Sequence, residues 1–302
     1  MPTQELSRPQ ALRILGPAPG FRPGPPENPV SHGLPAGTVT DDTLQCLVIG
    51  RLLVQGGGRI EPRALADALL GWEAEMGALG RLDLLGPSTR LALRAVAGGA
   101  DPATTGGSGI TNGAAMRVTP VGIARRPAPI AALLEAVTAA GRVTHDTAVA
   151  RAGSAAVAMA VSCGVEGMDF GGVILPAAEA AAAAGGDEVA ELVLGAVRRA
   201  RSGADLDTLI AEFGTGVETE QTVPMAFAVA TLAATDAWRA GVLAAGLGGD
   251  TDTIGAIAAA MVGACTGLAA LPAEAVATVR RVNRLDLDPL ARELLQLRQL
   301  AG

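Results

Sequence analysis

Leu247-Gly248-Gly249-Asp250-Thr251-Asp252-Thr253-Ile254-Gly255 sets two carboxylates and two hydroxyls side by side, directly before a long apolar run rich in Ala and Gly. Asp and Thr are poor in a helix interior and good at its start. The acids therefore belong at the mouth of a helix that runs into the core. An earlier stretch, Thr40-Asp41-Asp42-Thr43, has the same make-up and also precedes an apolar helical run. The expectation is that the two helix mouths meet in the fold and share metal ions.

Working outward, the apolar fraction of 49% over 302 residues supports a large core, but aromatic residues make up only 2% and there is no Tyr. Such a core is built from Ala, Leu, Val and Ile, which suits close-packed helices better than a sheet. Leu44, Leu47, Val48 and Leu52 recur at helical spacing until Gly56-Gly57-Gly58. Helices are also expected at about 128–140, 145–163, 174–184, 187–201, 205–212, 222–239, 251–271, 273–281 and 288–299. No alternating strand pattern of useful length and no repeat are present. Residues 1–39 are rich in Pro and Gly and read as a wandering surface loop with a short helix near Pro9 to Leu15. The expectation is a single all-α domain over residues 1–302 of roughly a dozen helices.

The net charge is −7, every basic residue is Arg, and no basic stripe or aromatic platform is present, which argues against nucleic-acid binding. Cys46, Cys163 and Cys265 are widely spaced in apolar contexts, as expected for free thiols in a reducing compartment. The start lacks a basic-then-apolar signal pattern. The run Ile254 to Leu271 reaches membrane-spanning length but reads as a buried helix. The expectation is a cytoplasmic protein with no membrane partner.

Four constellations stand out. The first is Thr40, Asp41, Asp42 and Thr43 with Asp250, Thr251, Asp252 and Thr253. Carboxylate and hydroxyl oxygens are hard ligands, suited to Mg²⁺ or Mn²⁺ and not to zinc. Each motif alone is also satisfied by plain helix capping. The second is the glycine-rich loop Gly106 to Gly113, which can bring backbone N–H groups to phosphates and is equally compatible with an ordinary long surface loop. The third is His145, in Val143-Thr144-His145-Asp146-Thr147, either a ligand contact or a capping or core histidine. The fourth is Thr222-Val223-Pro224 after Glu218 and Glu220, which helix capping satisfies.

Taken together, Gly248 to Gly255, Thr40 to Thr43, Asn112-Gly113-Ala114-Ala115-Met116-Arg117 and Thr144-His145 resemble the ADP-ribosylglycohydrolase family, of the dinitrogenase-reductase-activating glycohydrolase type, in order and spacing. The resemblance implies an all-α orthogonal bundle with two Mg²⁺ or Mn²⁺ ions in a cleft that binds ADP-ribose and cleaves its glycosidic link to a protein side chain. It implies Thr40, Asp41, Asp42, Asp250, Asp252 and Thr253 as metal ligands, with Asp41 and Asp252 catalytic. It implies Asn112, Gly113 and the preceding Gly107 and Gly109 as contacts to ribose and diphosphate, with His145 near the ligand. Two departures stand out. Many members have Gly where this chain has Thr111. The family's opening motif, G-D-A-L-G-x-P-x-E, ends in a Glu near the metals, and here Met1-Pro2-Thr3-Gln4-Glu5 starts as though inside it, with Gln4 at the Glu position. An amide cannot act as a general base, so Glu5 or Glu27 substitutes, or the metals carry the reaction. A related substrate, such as a nucleoside or small ADP-ribose-like metabolite, and a non-catalytic ADP-ribose binder are the alternatives.

Overall fold

The computed structural model describes residues 2–16, 20–80 and 86–300. Among them the chain forms α1 (Arg8–Leu15), α2 (Asp41–Gln55), α3 (Pro62–Ala78), α4 (Pro87–Ala97), α5 (Gly113–Met116), α6 (Thr119–Ala124), α7 (Ile130–Gly141) and α8 (Ala148–Val165). It continues with α9 (Phe170–Ala183), α10 (Asp187–Arg201), α11 (Leu206–Phe213), α12 (Thr219–Ala233), α13 (Ala237–Ala245), α14 (Thr251–Thr266), α15 (Ala273–Asn283) and α16 (Asp288–Leu300). The fold is all-α. The described residues hold no strand, only an isolated antiparallel bridge between Thr111 and Glu218.

The helix α8 is the axis of the core. Thr147 accepts a hydrogen bond from the Ala150 N–H and so caps its start. Its sequence is almost all Ala, Val, Gly, Ser and Cys, and it packs against α5, α6, α7, α9, α12 and α14. Small side chains are what let so many helices approach one rod. A Cβ on Gly153 would lie 2.3 Å from Thr219 Cγ2, and one on Gly164 2.9 Å from Cys265 Sγ. By length and composition α8 is also apolar enough to cross a membrane, but 78% of it is buried within the fold. The same continuous core takes in Ile49 and Leu53 of α2 and Ile254, Ile257 and Met261 of α14. Burial of these apolar stripes is what drives both acid-bearing helices inward.

Several expectations are corrected. The single helix expected over 222–239 is two, because the chain turns at Ala234 (φ 57°) and Asp236 caps α13 by accepting from the Arg239 N–H. An Ala-rich sequence favours helix on both sides of such a break and gives no sign of it. The helix expected to reach residue 271 stops at Thr266, where Gly267 takes φ 77°. Residues 101–122, rich in Gly, Thr and Asn and expected to be one long loop, hold α5 and the start of α6.

The amino-terminal segment is not a wandering surface loop. Thr3, Gln4, Leu6, Asn28 and Ser31 are buried. The Asn28 amide donates to the Pro2 and Gln4 carbonyls at 3.1 and 2.8 Å, and its oxygen accepts from the Val30 and Ser31 N–H groups. One buried side chain thus ties two stretches of irregular backbone together. The short helix is present as α1, His32 is exposed, and residues 17–19 of the Pro/Gly run lie outside the described residues.

Candidate metal centre and substrate cavity

The mouths of α2 and α14 meet. Asp41, Asp42 and Asp252 are buried, and one carboxylate oxygen from each lies within 4.8 Å of the others. Plain capping does not account for the two motifs, because neither Thr40 nor Asp250 caps its helix with its side chain. Thr40 instead donates its hydroxyl to Asp42 Oδ2. Asp250 accepts from the Asn112 amide, which also donates to Thr222 Oγ1 at 2.8 Å. Thr222 in turn donates to the Gly216 carbonyl at 2.7 Å.

The electrostatics of this cluster are unfavourable as it stands. Burial pushes the Asp41 carboxyl well above the usual carboxylate range, and the neighbouring Asp42, Asp252 and Asp250 charges push it further. Asp42 rises to about 7, first through burial and then through Asp252, against the opposing hydrogen bonds of Thr40 and Thr253. Asp250 is raised by burial and by Asp252 and Asp42. Asp42 Oδ1 is buried with no hydrogen-bond partner. Like charges gathered out of water are costly unless a counter-ion joins them. A set of hard oxygens with one orphaned carboxylate oxygen fits a divalent cation of the Mg²⁺ or Mn²⁺ kind.

Gly248 and Gly249 let two other segments close on this cluster. Both have positive φ, 80° and 72°. A Cβ on Gly248 would lie 2.4 Å from the Arg8 nitrogen, and one on Gly249 2.4 Å from the Thr215 carbonyl oxygen. The Glu5 N–H donates to the Gly249 carbonyl and the Gly249 N–H to the Leu6 carbonyl, each at 2.8 Å. The Asp250 N–H donates to the Thr215 carbonyl at 2.7 Å. Between these segments opens a cavity of about 380 Å³, whose lining includes Gln4, Glu5, Asp41, Thr111, Asn112, Gly113, Thr215, Gly216, Glu218, Asp250, Asp252 and Thr253.

The expected substrate residues divide. Asn112 and Gly113 line the cavity, whereas Gly107, Gly109 and His145 do not. Gly109 is needed elsewhere: a Cβ there would lie 2.0 Å from the Thr144 carbonyl oxygen. Gly107 is exposed, with nothing within 4 Å of the same position. His145 is buried directly behind Gly113, where a Cβ would lie 2.6 Å from His145 Cε1. Burial and the nearby Arg117 charge hold its imidazole well below the usual pKa. Gly106 and Gly109 thus serve close packing on residues 142–146, while Gly113 reaches the cavity.

Sequence reasoning missed Gln45, whose amide faces Asp41 Oδ2 at 3.5 Å, and the segment Thr215 to Val217, which forms one wall. Nothing in their local pattern marks them. Thr222 had a visible signal, its place beside two acids, but read as capping.

Comparison with known proteins gives the family and the fold. A family model described as ADP-ribosylglycohydrolase matches residues 1–302. The Escherichia coli (strain K12) protein YegU, itself uncharacterized, is 32% identical over 310 residues, spanning 99% of this chain and 92% of that protein. An uncharacterized protein of Archaeoglobus fulgidus is 30% identical over 280 residues, spanning 87% of this chain and 82% of its own length. A solved structure described as an ADP-ribosylglycohydrolase-related protein complex superposes with a TM-score of 0.64 at 26% identity, covering 92% of this chain and 89% of that one. The all-α fold, the paired acidic helix mouths and a family match over the full length together make this chain a member of the ADP-ribosylglycohydrolase family.

Proposed function

We propose that this protein is a divalent-cation-dependent hydrolase that cleaves the glycosidic bond between ADP-ribose and a modified protein side chain. Family membership supplies the reaction class, a glycohydrolase acting on ADP-ribose-containing substrates. The observation that carries the finer reading is the buried group Asp41, Asp42 and Asp252 at the edge of a cavity, with Asp42 Oδ1 unpartnered. Thr40, Asp41, Asp42, Asp250, Asp252 and Thr253 are the residues that would hold two Mg²⁺ or Mn²⁺ ions. When bound, such ions supply Lewis acidity toward substrate oxygens and a water.

The chain's own residues do the rest. Asp41 and Asp252 line the cavity and are the proposed catalytic carboxylates, fixing the reacting groups relative to each other. Asn112 keeps the Asp250 carboxylate aimed by donating to it. Gln4 lines the cavity and, as an amide, transfers no proton. The reading treats residues 1–302 as one domain, supported by the continuous core. It sets the protein in the cytoplasm, in keeping with three free cysteines.

One observation favours a second reading, a nucleoside or other small glycoside as substrate. The described cavity lining includes Glu5, Asp41, Glu218, Asp250 and Asp252 but no Arg, so a diphosphate would depend on the cations for its counter-charge. Side-by-side assays of ADP-ribosylated protein and of nucleosides separate the two. The first reading expects Mg²⁺-dependent release of ADP-ribose from modified protein, lost in Asp41→Ala and Asp252→Ala. Turnover of nucleosides alone would favour the second, and tight ADP-ribose binding without any turnover would reduce the protein to a binder.

A further inference from the structure

Behind the cavity, one side chain touches the supports of both its walls. Arg117 follows α5 and its side chain is completely buried. Its guanidinium donates to Gln45 Oε1 at 2.9 Å, to the Ala140 carbonyl at 3.1 Å and to Thr144 Oγ1 at 2.6 Å. Gln45 lies one turn after Asp41 on α2 and presents its Nε2 to Asp41 Oδ2. Thr144 lies 2.7 Å from His145 Nδ1, and His145 Nε2 lies 2.9 Å from Thr111 Oγ1, next to Asn112.

A guanidinium offers donors and no acceptor. Gln45 therefore turns its carbonyl to Arg117, which leaves its NH₂ for Asp41. Thr144 accepts from Arg117 and gives its own proton to His145 Nδ1. The far end of the chain agrees. Thr111 gives its only hydroxyl proton to Ser88 Oγ at 2.9 Å, so His145 Nε2 must be the donor to Thr111. One buried cation thus anchors hydrogen bonds that run through Gln45 on one side and through Thr144, His145 and Thr111 on the other.

We propose that Arg117 is a positioning residue for both walls of the cavity: through Gln45 it aims the Asp41 carboxylate, and through Thr144 and His145 it fixes the Thr111–Asn112 wall. The Gln45 arm rests on the reading of Asp41 as a cation ligand; the His145 arm does not. The structure assigns His145 a single neutral tautomer with its proton on Nε2.

The test uses the full chain and three variants, Gln45→Leu, Thr144→Val and Arg117→Met. The protein has two histidines, and His32 is exposed, so nitrogen NMR can read the His145 tautomer without any substrate. The expected wild-type signal is the Nε2–H form, with and without Mg²⁺, replaced by a mixture in Thr144→Val. Calorimetry with Mn²⁺ alone should show about 10-fold weaker binding in Gln45→Leu, in the range seen when groups supporting a metal ligand are removed, with the tautomer unchanged. Thr144→Val should weaken free ADP-ribose by about 10-fold and leave Mn²⁺ affinity within about twofold. Arg117→Met should show both losses. General loss of stability would lower Tm in all three variants without this split, and the two milder variants decide the matter if Arg117→Met does not fold. An Nδ1–H tautomer in the wild type, or wild-type Mn²⁺ affinity in Gln45→Leu, would overturn the proposal. A wild type that binds no Mn²⁺ removes the functional reading and the Gln45 arm together, and the tautomer still decides the other arm.

Discussion

Asp169, Asp205 and Asp236 stand at the mouths of α9, α11 and α13, and each carboxylate accepts a backbone N–H three residues on. Thr40 and Asp250 hold the same positions on α2 and α14, yet neither side chain caps its helix. The residue types are alike and the outcomes opposite. At Asp205 the hydrogen bonds of Thr208 hold the carboxyl below its usual range. At Asp41, Asp42 and Asp250 burial and mutual repulsion hold it above. Capping mouths are spent on local stability; the paired mouths carry an electrostatic cost that a cation would relieve. The difference lies in where the surrounding apolar stripes drive each helix.

The largest effect should come from Asp252→Ala, with a loss of about 10³-fold or more in kcat/KM, as when one preorganised electrostatic group is removed. Steady-state hydrolysis of ADP-ribosylated protein checks it. Next comes Gly249→Ala. A side chain at φ 72° pressed 2.4 Å from the Thr215 carbonyl should cost about 1–3 kcal/mol, read by denaturant unfolding, and should raise KM by displacing that wall. Gly107→Ala, in open space, should change neither.

The sign of the Asp42 effect distinguishes the two kinds of mouth. Asp42→Asn should raise the Tm of chelator-treated protein, because it removes one of several buried like charges, and should shrink the Tm gain on adding Mg²⁺. Asp236→Ala should do the reverse, lowering Tm by an amount worth about 1 kcal/mol and leaving the Mg²⁺ gain intact. Differential scanning fluorimetry with and without chelator reads both.

The pH dependence follows the same contrast. Asp42 titrates near 7 in the folded chain against 3.8 in the unfolded one. Between those values the folded state holds more protons, so its contribution to stability is full below about pH 4 and is lost as pH rises through 7. Asp205, with its pKa lowered, contributes stability above its unfolded value and loses it as pH falls. Stability curves of metal-free protein should therefore decline from weakly acidic to neutral pH, and saturating Mg²⁺ should flatten that decline.

Much of this was legible in the sequence. A scarcity of aromatics with abundant Ala predicted close-packed helices, and α2, α8, α10 and α16 fall close to where their apolar spacing puts them. The doubled acid motifs announced too many oxygens for capping. What the sequence withheld was convergence at a distance. Nothing around Gln45 signals Arg117, 72 residues on, nothing around Thr215 signals Gln4 and Glu5 in the same cavity lining, and Asn28, in a Pro-rich stretch, gives no sign that it anchors Gln4 there. The glycine loop misled for a different reason. Gly109 is required by the Thr144 backbone, and close packing leaves the same compositional trace as a ligand cradle.

Calorimetric titration of Mn²⁺ into chelator-stripped protein tests the central claim most directly. The paired helix mouths predict saturable binding of two ions per chain, weakened or lost in Asp42→Asn and unchanged in Asp236→Ala. Absence of saturable binding at millimolar Mn²⁺, or binding that survives Asp42→Asn intact, would contradict the account.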